Sequence, residues 1–386
     1  VKRPNPIVNL TLGGLASLLA LSKGQRFISR VKIKEPAIVL INHCSFSDFY
    51  FTQSAIYPSA VNFMAASKMF YQEGRGFWLR LSRSIPKHLF QPDVYAVKNA
   101  LEILNDKKGI IGIYPEGQIS PIGKVYPLPK SIAKFVKKAK VNVYVIKHYN
   151  TYLALPPWSE QAFNGPIFTE MTHILTPEEI ESKDVEAIYE TIQERIYFNT
   201  AKFNKEKKYR YKLKDIDGLD KVIFMCPKCQ FEGLKTNNGS LVCPTCNHTL
   251  PYNEYGQIGD YDLDDLFEWQ KQQLADRIDK NPNFEFKTKV NLETIVDNQR
   301  IDIVGSGTLA INRDFYHYQG TYNEQTVEFK FPTNYSEYLA GDLGFNMQLY
   351  DGYKLYQFAV FKRHESIKLI IIGEYMYQLA KRGKVK

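Results

Sequence analysis

Ala37-Ile38-Val39-Leu40-Ile41-Asn42-His43-Cys44-Ser45-Phe46-Ser47-Asp48 decides how the first half of the chain is read. The run from Ala37 to Ile41 is apolar without alternation, the pattern of a strand buried on both faces. His43 then stands at the rim of a sheet. If the chain turns into a helix near Ser47 or Asp48, the carboxylate five positions on folds back onto the imidazole. That carboxylate would fix the ring tautomer and stabilise the imidazolium, while the other ring nitrogen takes a proton from a hydroxyl. A general-base pair of this kind needs no protein nucleophile. Cys44, inside the same loop, is read as a packing residue, because neighbours on a turning chain rarely face each other.

A second apolar run, Gly109 to Ile113, ends in Tyr114-Pro115-Glu116-Gly117-Gln118-Ile119-Ser120. Two strands that each finish in a polar, turn-forming signature place ligand chemistry along one edge of a sheet. Alternating helical and apolar segments complete an α/β sandwich. Its strands are expected at Val31–Ile33, Ala37–Ile41, Val61–Ala65, Gly109–Tyr114 and Val141–Lys147, with helices near Asp93–Leu104 and Ser131–Lys138. Thr176 to Lys214 reads as a helical tail that opens on the acidic turn Pro177-Glu178-Glu179.

The two stretches together resemble the glycerolipid acyltransferases typified by 1-acylglycerol-3-phosphate acyltransferase. Their first block, N-H-x4-D, is matched from Asn42 to Asp48. Their block F-P-E-G-T-R-S is matched by Tyr114, Pro115, Glu116, Gly117 and Ser120. The resemblance covers about Val31 to Lys214. It implies that His43 is the general base, Asp48 its orienting partner, and that Glu116 and the Gly117 backbone position the acceptor with Ser120 and Lys130 in support. The donor it implies is acyl-CoA or acyl carrier protein, and the acceptor a lysolipid, 1-acyl-sn-glycerol 3-phosphate giving phosphatidic acid.

The chain also departs from the family pattern. Ile119 stands where the family has Arg and Gln118 where it has Thr, and Ser84-Ile85-Pro86-Lys87-His88 is the nearest counterpart of an arginine-bearing block. A guanidinium grips phosphate through two parallel bonds that Ile cannot make and one Lys cannot reproduce. Lys87 and Lys130 are the candidate replacements. An acyltransferase for a non-phosphate lysolipid is therefore the near alternative.

Four of the five cysteines form Cys226-Pro-Lys-Cys229 and Cys243-Pro-Thr-Cys246. Paired C-x2-C knuckles with turn residues between them predict a zinc ribbon, residues 216–255, with a structural Zn2+ in a tetrahedral thiolate set. His248 is a bystander to that set. No catalytic cofactor is expected. The ribbon, with the basic stretch before it, also suits a nucleic-acid-binding protein, but that reading leaves both acyltransferase blocks unexplained, and nucleic acid is not expected as a partner.

Fifty Lys and Arg against forty-one Asp and Glu in 386 residues give a net charge of +9, which favours anionic partners such as a membrane surface. No residue from Pro6 to Leu21 is charged. Sixteen helical residues reach about 24 Å, short of a bilayer core of about 30 Å. Residues 1–26 are therefore expected to lie in the membrane interface, on the cytoplasmic face, as a peripheral or monotopic anchor. The acyltransferase domain is set at 27–215. Residues 256–386 open on an acidic amphipathic helix, Asp260 to Arg277, followed by strand-like segments between Phe284 and Phe361 and a closing helix from Ser366 to Ala380. This β-rich domain is expected to be pleckstrin-homology-like in architecture.

Overall fold

A computed structural model describes residues 1–213 and 215–383. Lys214, the last residue of the expected helical tail, lies outside the described residues. The chain opens with helix α1 (Pro6–Ser22), capped by the Asn5 side chain, which accepts from the Ile7 and Val8 backbone amides. Strand β1 (Gln25–Ser29) follows, then β2 (Ala37–Ile41), α2 (Asp48–Ile56), β3 (Val61–Ala66), α3 (Arg75–Leu81), β4 (Ile85–Lys87), α4 (Val94–Asn105), β5 (Ile110–Ile113), α5 (Ser131–Ala139), β6 (Asn142–Tyr149), α6 (Thr151–Ala154) and β7 (Ile167–Leu175). Val31–Ile33 is not a strand; the strand of this region is β1, which begins inside the segment assigned to the interfacial helix.

The first sheet has the order β1-β7-β6-β2-β5-β3-β4. β2 pairs in parallel with β5 and β6, and β3 in parallel with β5 and β4. Parallel pairing demands crossovers, and the intervening helices supply them on both faces. The sequence of β2 shows how. Ile38 and Leu40 face one apolar cluster with α4, α5 and the later helix Val185–Ile196, while Ala37, Val39 and Ile41 face another with Ala55 and Ile56 of α2. Both sets are fully or almost fully buried, which is why the run carries no polar residue.

After β7 come α7 (Pro177–Ser182), α8 (Val185–Ile196) and α9 (Thr200–Lys207). Thr176 and Glu179 form a reciprocal capping box at the start of α7. The basic stretch beyond α9 is not an open helical face. Tyr211 is buried and donates its hydroxyl to the Pro166 carbonyl, and Tyr209 packs on Phe168.

The cysteine-bearing region holds β8 (Lys235–Asn237), β9 (Ser240–Val242) and β10 (Thr249–Pro251) in one small antiparallel sheet. A two-stranded ribbon, β11 (Gln257–Ile258) and β12 (Tyr261–Asp262), leads into α10 (Leu263–Lys280). The remainder is β13 (Phe286–Val296), β14 (Arg300–Ile311), β15 (Phe315–Tyr322), β16 (Gln325–Pro332), β17 (Ala340–Asp342), β18 (Asn346–Asp351), β19 (Lys354–Val360) and α11 (Glu365–Gly383). These strands form a second, wholly antiparallel sheet in the order β16-β15-β14-β13-β19-β18-β17. The meander β13 to β16 and the meander β17 to β19 join through β13 and β19. Leu369, Ile372 and Met376 of α11 and Ile278 of α10 fill its apolar face. The β-rich region and its closing helix are present; the pleckstrin-homology-like likeness extends no further than this strand and helix count.

One apolar cluster crosses all the expected boundaries. It contains Cys44, Phe51, Tyr152 and Trp158 from the first half, Cys226 and Cys243 from the ribbon, Leu263, Leu266 and Phe267 of α10, and Ile367 and Ile371 of α11.

Candidate active site and metal centre

The edge of the first sheet that holds the candidate site is built by strand ends. Asn42, fully buried, extends β2 by clamping β6: its side-chain amide donates to the His148 carbonyl and its oxygen accepts from the His148 backbone amide, at 3.0 and 2.7 Å. His43 follows at the rim. Asp48 opens α2, and its Oδ2 stands 3.0 Å from His43 Nδ1. The same oxygen accepts the Cys44 and Ser45 backbone amides at 2.7 and 2.8 Å. Asp48 is wholly buried, whereas the His43 side chain keeps a fifth of its surface. Three N–H donors on one oxygen lock the carboxylate, and the carboxylate in turn fixes the ring. Among the described residues His43 Nε2 has no hydrogen-bond partner, so it is the uncommitted nitrogen of the ring.

Glu116 is beside this pair. Its Oε1 accepts the His43 backbone amide at 3.3 Å, and its Oε2 is buried without a partner among the described residues. Burial, with the neighbouring Asp48 charge adding to it, pushes Glu116 up to about 8. At neutral pH it is a carboxylic acid able to donate a hydrogen bond. Gly117 makes the turn at a φ of +73°, where a Cβ would come within 3.2 Å of the Phe90 ring. The Ser120 backbone amide donates to the His43 carbonyl at 2.9 Å, while its hydroxyl donates to the Lys124 carbonyl.

The lysines lie elsewhere in the hydrogen-bond network. Lys87 donates to the His88 and Gln91 carbonyls at 2.6 and 3.0 Å, and burial pulls its ammonium below the ordinary lysine range. Lys130 forms an exposed ion pair with Glu186 at 2.8 Å. Cys44 is buried, and burial together with the charge of Asp48 pushes its thiol well up, so it is not a nucleophile.

Three features were not drawn from the sequence. The Tyr114 ring lies 4.3 Å from that of His43. Behind it runs a buried chain from the Tyr114 hydroxyl to Thr52 Oγ1 at 3.0 Å, from Thr52 to His148 Nε2 at 2.8 Å, and from His148 Nδ1 to Thr169 at 3.0 Å. Burial pushes His148 down to about 4, so this second imidazole is neutral and structural. The third feature is a repeat of the His–Asp spacing. At the end of β4, His88 Nδ1 lies 2.8 Å from Asp93 Oδ2, which also accepts the His88 backbone amide. That pair was legible as a second H-x4-D.

The four ribbon cysteines offer sulfurs that all lie within 4.8 Å of one another. Cys226 and Cys246 are 3.7 Å apart, and Cys229 and Cys243 3.6 Å. Sulfurs at about 2.3 Å from a tetrahedral zinc are about 3.8 Å from each other, so the four fit one metal ion. Each knuckle turns through a left-handed residue just after its second cysteine, Gln230 and Asn247. His248 is outside the set.

The sequence from β1 to β6, with the dyad and the Glu116 turn inside it, is also what known proteins share with this chain. Residues 22–148 match the acyltransferase family model. That match spans the His43–Asp48 pair and the Glu116 turn and leaves the ribbon and the second sheet outside. Among solved structures, the chain is similar to the 1-acyl-sn-glycerophosphate (LPA) acyltransferase PlsC from Thermotoga maritima, at 19% identity over 50% of this chain and 78% of that one, with a TM-score of 0.41. It is also similar to an SsgA-like sporulation-specific cell division protein from Thermobifida fusca YX-ER1, at 11% identity over 27% of this chain and 96% of that one, with a TM-score of 0.16. Neither likeness is close enough to argue from. No curated protein matches the chain.

Proposed function

We propose that this protein transfers an acyl group from an acyl thioester, of coenzyme A or acyl carrier protein, to the hydroxyl of a lysolipid, with 1-acyl-sn-glycerol 3-phosphate as the first acceptor to test and phosphatidic acid as its product. The observation that carries the reading is the His43–Asp48 pair, joined through Nδ1, whose Nε2 has no hydrogen-bond partner among the described residues. Ser45 donates its hydroxyl to the Leu155 carbonyl and Cys44 is buried, so the nucleophile must come with the substrate. His43 Nε2 removes the proton from the acceptor hydroxyl as its oxygen bonds to the thioester carbonyl carbon. The tetrahedral intermediate collapses, the carbon–sulfur bond breaks, and the His43 proton passes to the leaving thiolate. Asp48 holds the Nδ1 proton and stabilises the imidazolium between these steps. Glu116, neutral and with Oε2 uncommitted, donates to the acceptor, and the Gly117 backbone sets its approach.

The four cysteines are assigned one structural zinc ion, which ties two chain segments together through thiolates and leaves no open coordination position. Helix α1 is assigned to the membrane interface on the cytoplasmic face. It turns Ile7, Leu10, Leu15, Leu18 and Leu21 outward and keeps Gly13 and Ala20 against the protein. Among the described residues no helix is long and apolar enough to cross a membrane. An unpartnered apolar face of this kind suits a headgroup layer that also holds the substrates.

A second acceptor class is favoured by a specific observation. Ile119 replaces the family's Arg, Lys87 is bound to backbone carbonyls, and Lys130 is paired with Glu186. None of these brings an uncommitted cation to the dyad, which favours a lysolipid without a phosphate monoester. Incubation of the purified protein with labelled acyl-CoA, or acyl carrier protein, and a panel of lysolipids decides both points, with His43→Ala as the control. Absence of His43-dependent transfer to every acceptor would sink the activity.

A further inference from the structure

Along the first sheet, the four neighbouring strands β2, β5, β3 and β4 end on the same edge. The ends of β2 and β5 carry His43, Tyr114 and Glu116. The ends of β3 and β4 carry Ser67, Lys68 and His88, and here the second sheet is docked. Lys68, almost wholly buried, is bonded to Asp342 at 2.6 Å. The Ser336 hydroxyl donates to the Phe90 carbonyl, and Phe90 packs on Tyr338. The turn between β18 and β19 is the two-residue Gly352-Tyr353, closed by the Asp351–Lys354 pair. Gly352 at a φ of +56° supplies the conformation such a tight turn needs. That turn carries Tyr353 to within 4.6 Å of the His88 ring, while Tyr350 meets the same ring edge-on at 6.0 Å.

His88 is held as His43 is, through Nδ1 and a buried carboxylate, and its Nε2 has no partner among the described residues. Tyr353 keeps nearly two-thirds of its surface, and its hydroxyl too has no partner among the described residues. The loop between His88 and Asp93 backs directly onto the Gly117 turn through Phe90. His88 is therefore a fixed, partly exposed group on the same sheet edge, beside an exposed aromatic ring. It stands three strand spacings from His43, roughly 14 Å at about 4.8 Å each.

Charge decides what could bind there. Lys68 is cancelled by Asp342, His88 sits on Asp93, and Lys87 is turned into the loop it closes. Lys354, next to Tyr353, is turned onto the Tyr322 and Tyr356 rings, so none of these groups offers an uncommitted cation to a phosphate monoester, and such a short headgroup would not reach from the reacting hydroxyl. A tyrosine face beside an imidazole that can donate or accept suits hydroxyl-rich, uncharged chemistry. We propose that His88 and Tyr353 form a headgroup subsite for a lysolipid bearing a sugar or polyol head, so that the second sheet selects the acceptor. This rests on the acyl-transfer reading and extends the non-phosphate acceptor class.

Equilibrium binding tests it apart from turnover. The probes are a monoacylated glucosylglycerol, monoacylglycerol, lysophosphatidate and acyl-CoA, each titrated into the full-length protein in detergent micelles. The glucosyl lipid should bind more tightly than the other two lysolipids. His88→Gln and Tyr353→Ala should each weaken it about tenfold, the size of one lost hydrogen bond or ring contact, and leave monoacylglycerol and acyl-CoA unchanged. Equal affinity for the lysolipids, no response to either variant, or an equal loss for acyl-CoA overturns the subsite. Tight glucosyl-lipid binding that responds to both variants, without any acyl transfer, would instead leave the subsite standing and remove the transferase activity.

Discussion

Asp48 Oδ2 lies 3.0 Å from His43 Nδ1 and serves two backbone amides with the same oxygen, so the residue that orients the imidazole also folds the loop that carries it. The two partners should respond differently to substitution. His43→Ala is expected to lower acyl transfer by about 10²–10⁴ with little change in melting temperature, because the ring is partly exposed. Asp48→Asn should lose activity and stability together, since an amide cannot accept from three donors at one oxygen. Paired turnover and melting measurements separate the two patterns; a His43→Ala protein with normal turnover would refute the assignment.

Glu116 sets a pH dependence with a definite sign. Its folded-state value, pushed up to about 8 by burial, lies above the ordinary 4.5. The folded protein therefore keeps a proton that the unfolded chain has released, and this contribution to stability is complete below pH 4.5 and lost as pH rises through about 8. Glu116→Gln should flatten the decline of melting temperature between about pH 5 and 8 and should be the more stable protein at the alkaline end. Parallel curves for the two proteins would show that Glu116 is ionised throughout.

Metal analysis should return one zinc per chain, lost in Cys226→Ser or Cys243→Ser. Because Cys226 and Cys243 belong to the apolar cluster that also holds Cys44 and Trp158, chelation should lower the temperature of the main unfolding transition itself. Thiolate zinc sites supply on the order of 10 kcal/mol in small domains. Calorimetry showing a separate ribbon transition, with the rest unmoved, would contradict this coupling.

Leu15 and Leu18 expose about two-thirds of their surfaces on α1. Replacing both with Asp should change folding stability by about 0.5 kcal/mol or less, as for other surface positions, yet reduce sedimentation with anionic liposomes about tenfold. Unchanged sedimentation would remove α1 from the membrane contact.

Much of the site was legible because its signals are local. An unbroken apolar run places His43 at a strand end, and a five-residue spacing brings Asp48 back to it. The four-cysteine cluster was equally readable, since each knuckle is a local turn. β7 was passed over although Ile167 to Leu175 largely alternates buried and less covered residues, as a strand with one face on the core should. β1 was hidden because its five residues, Gln25-Arg26-Phe27-Ile28-Ser29, hold only two apolar side chains and follow α1 after a two-residue turn, too weak a pattern to mark a strand. His88 was visible at the same spacing from Asp93, but its value depends on Tyr353, which is 265 positions away and arrives only through the second sheet.

The cluster that joins Trp158 and Phe163 to the ribbon and to α10 has an evolutionary consequence. Those side chains are fully covered here because later parts of the chain sit on them. A relative that ended with its first sheet would present the same positions to water, and selection would have to replace them with polar residues. Aligned sequences with and without the ribbon should therefore differ at Leu153, Trp158 and Phe163 as sharply as in the cysteines themselves, because the ribbon and the surface beneath it can only have been gained together.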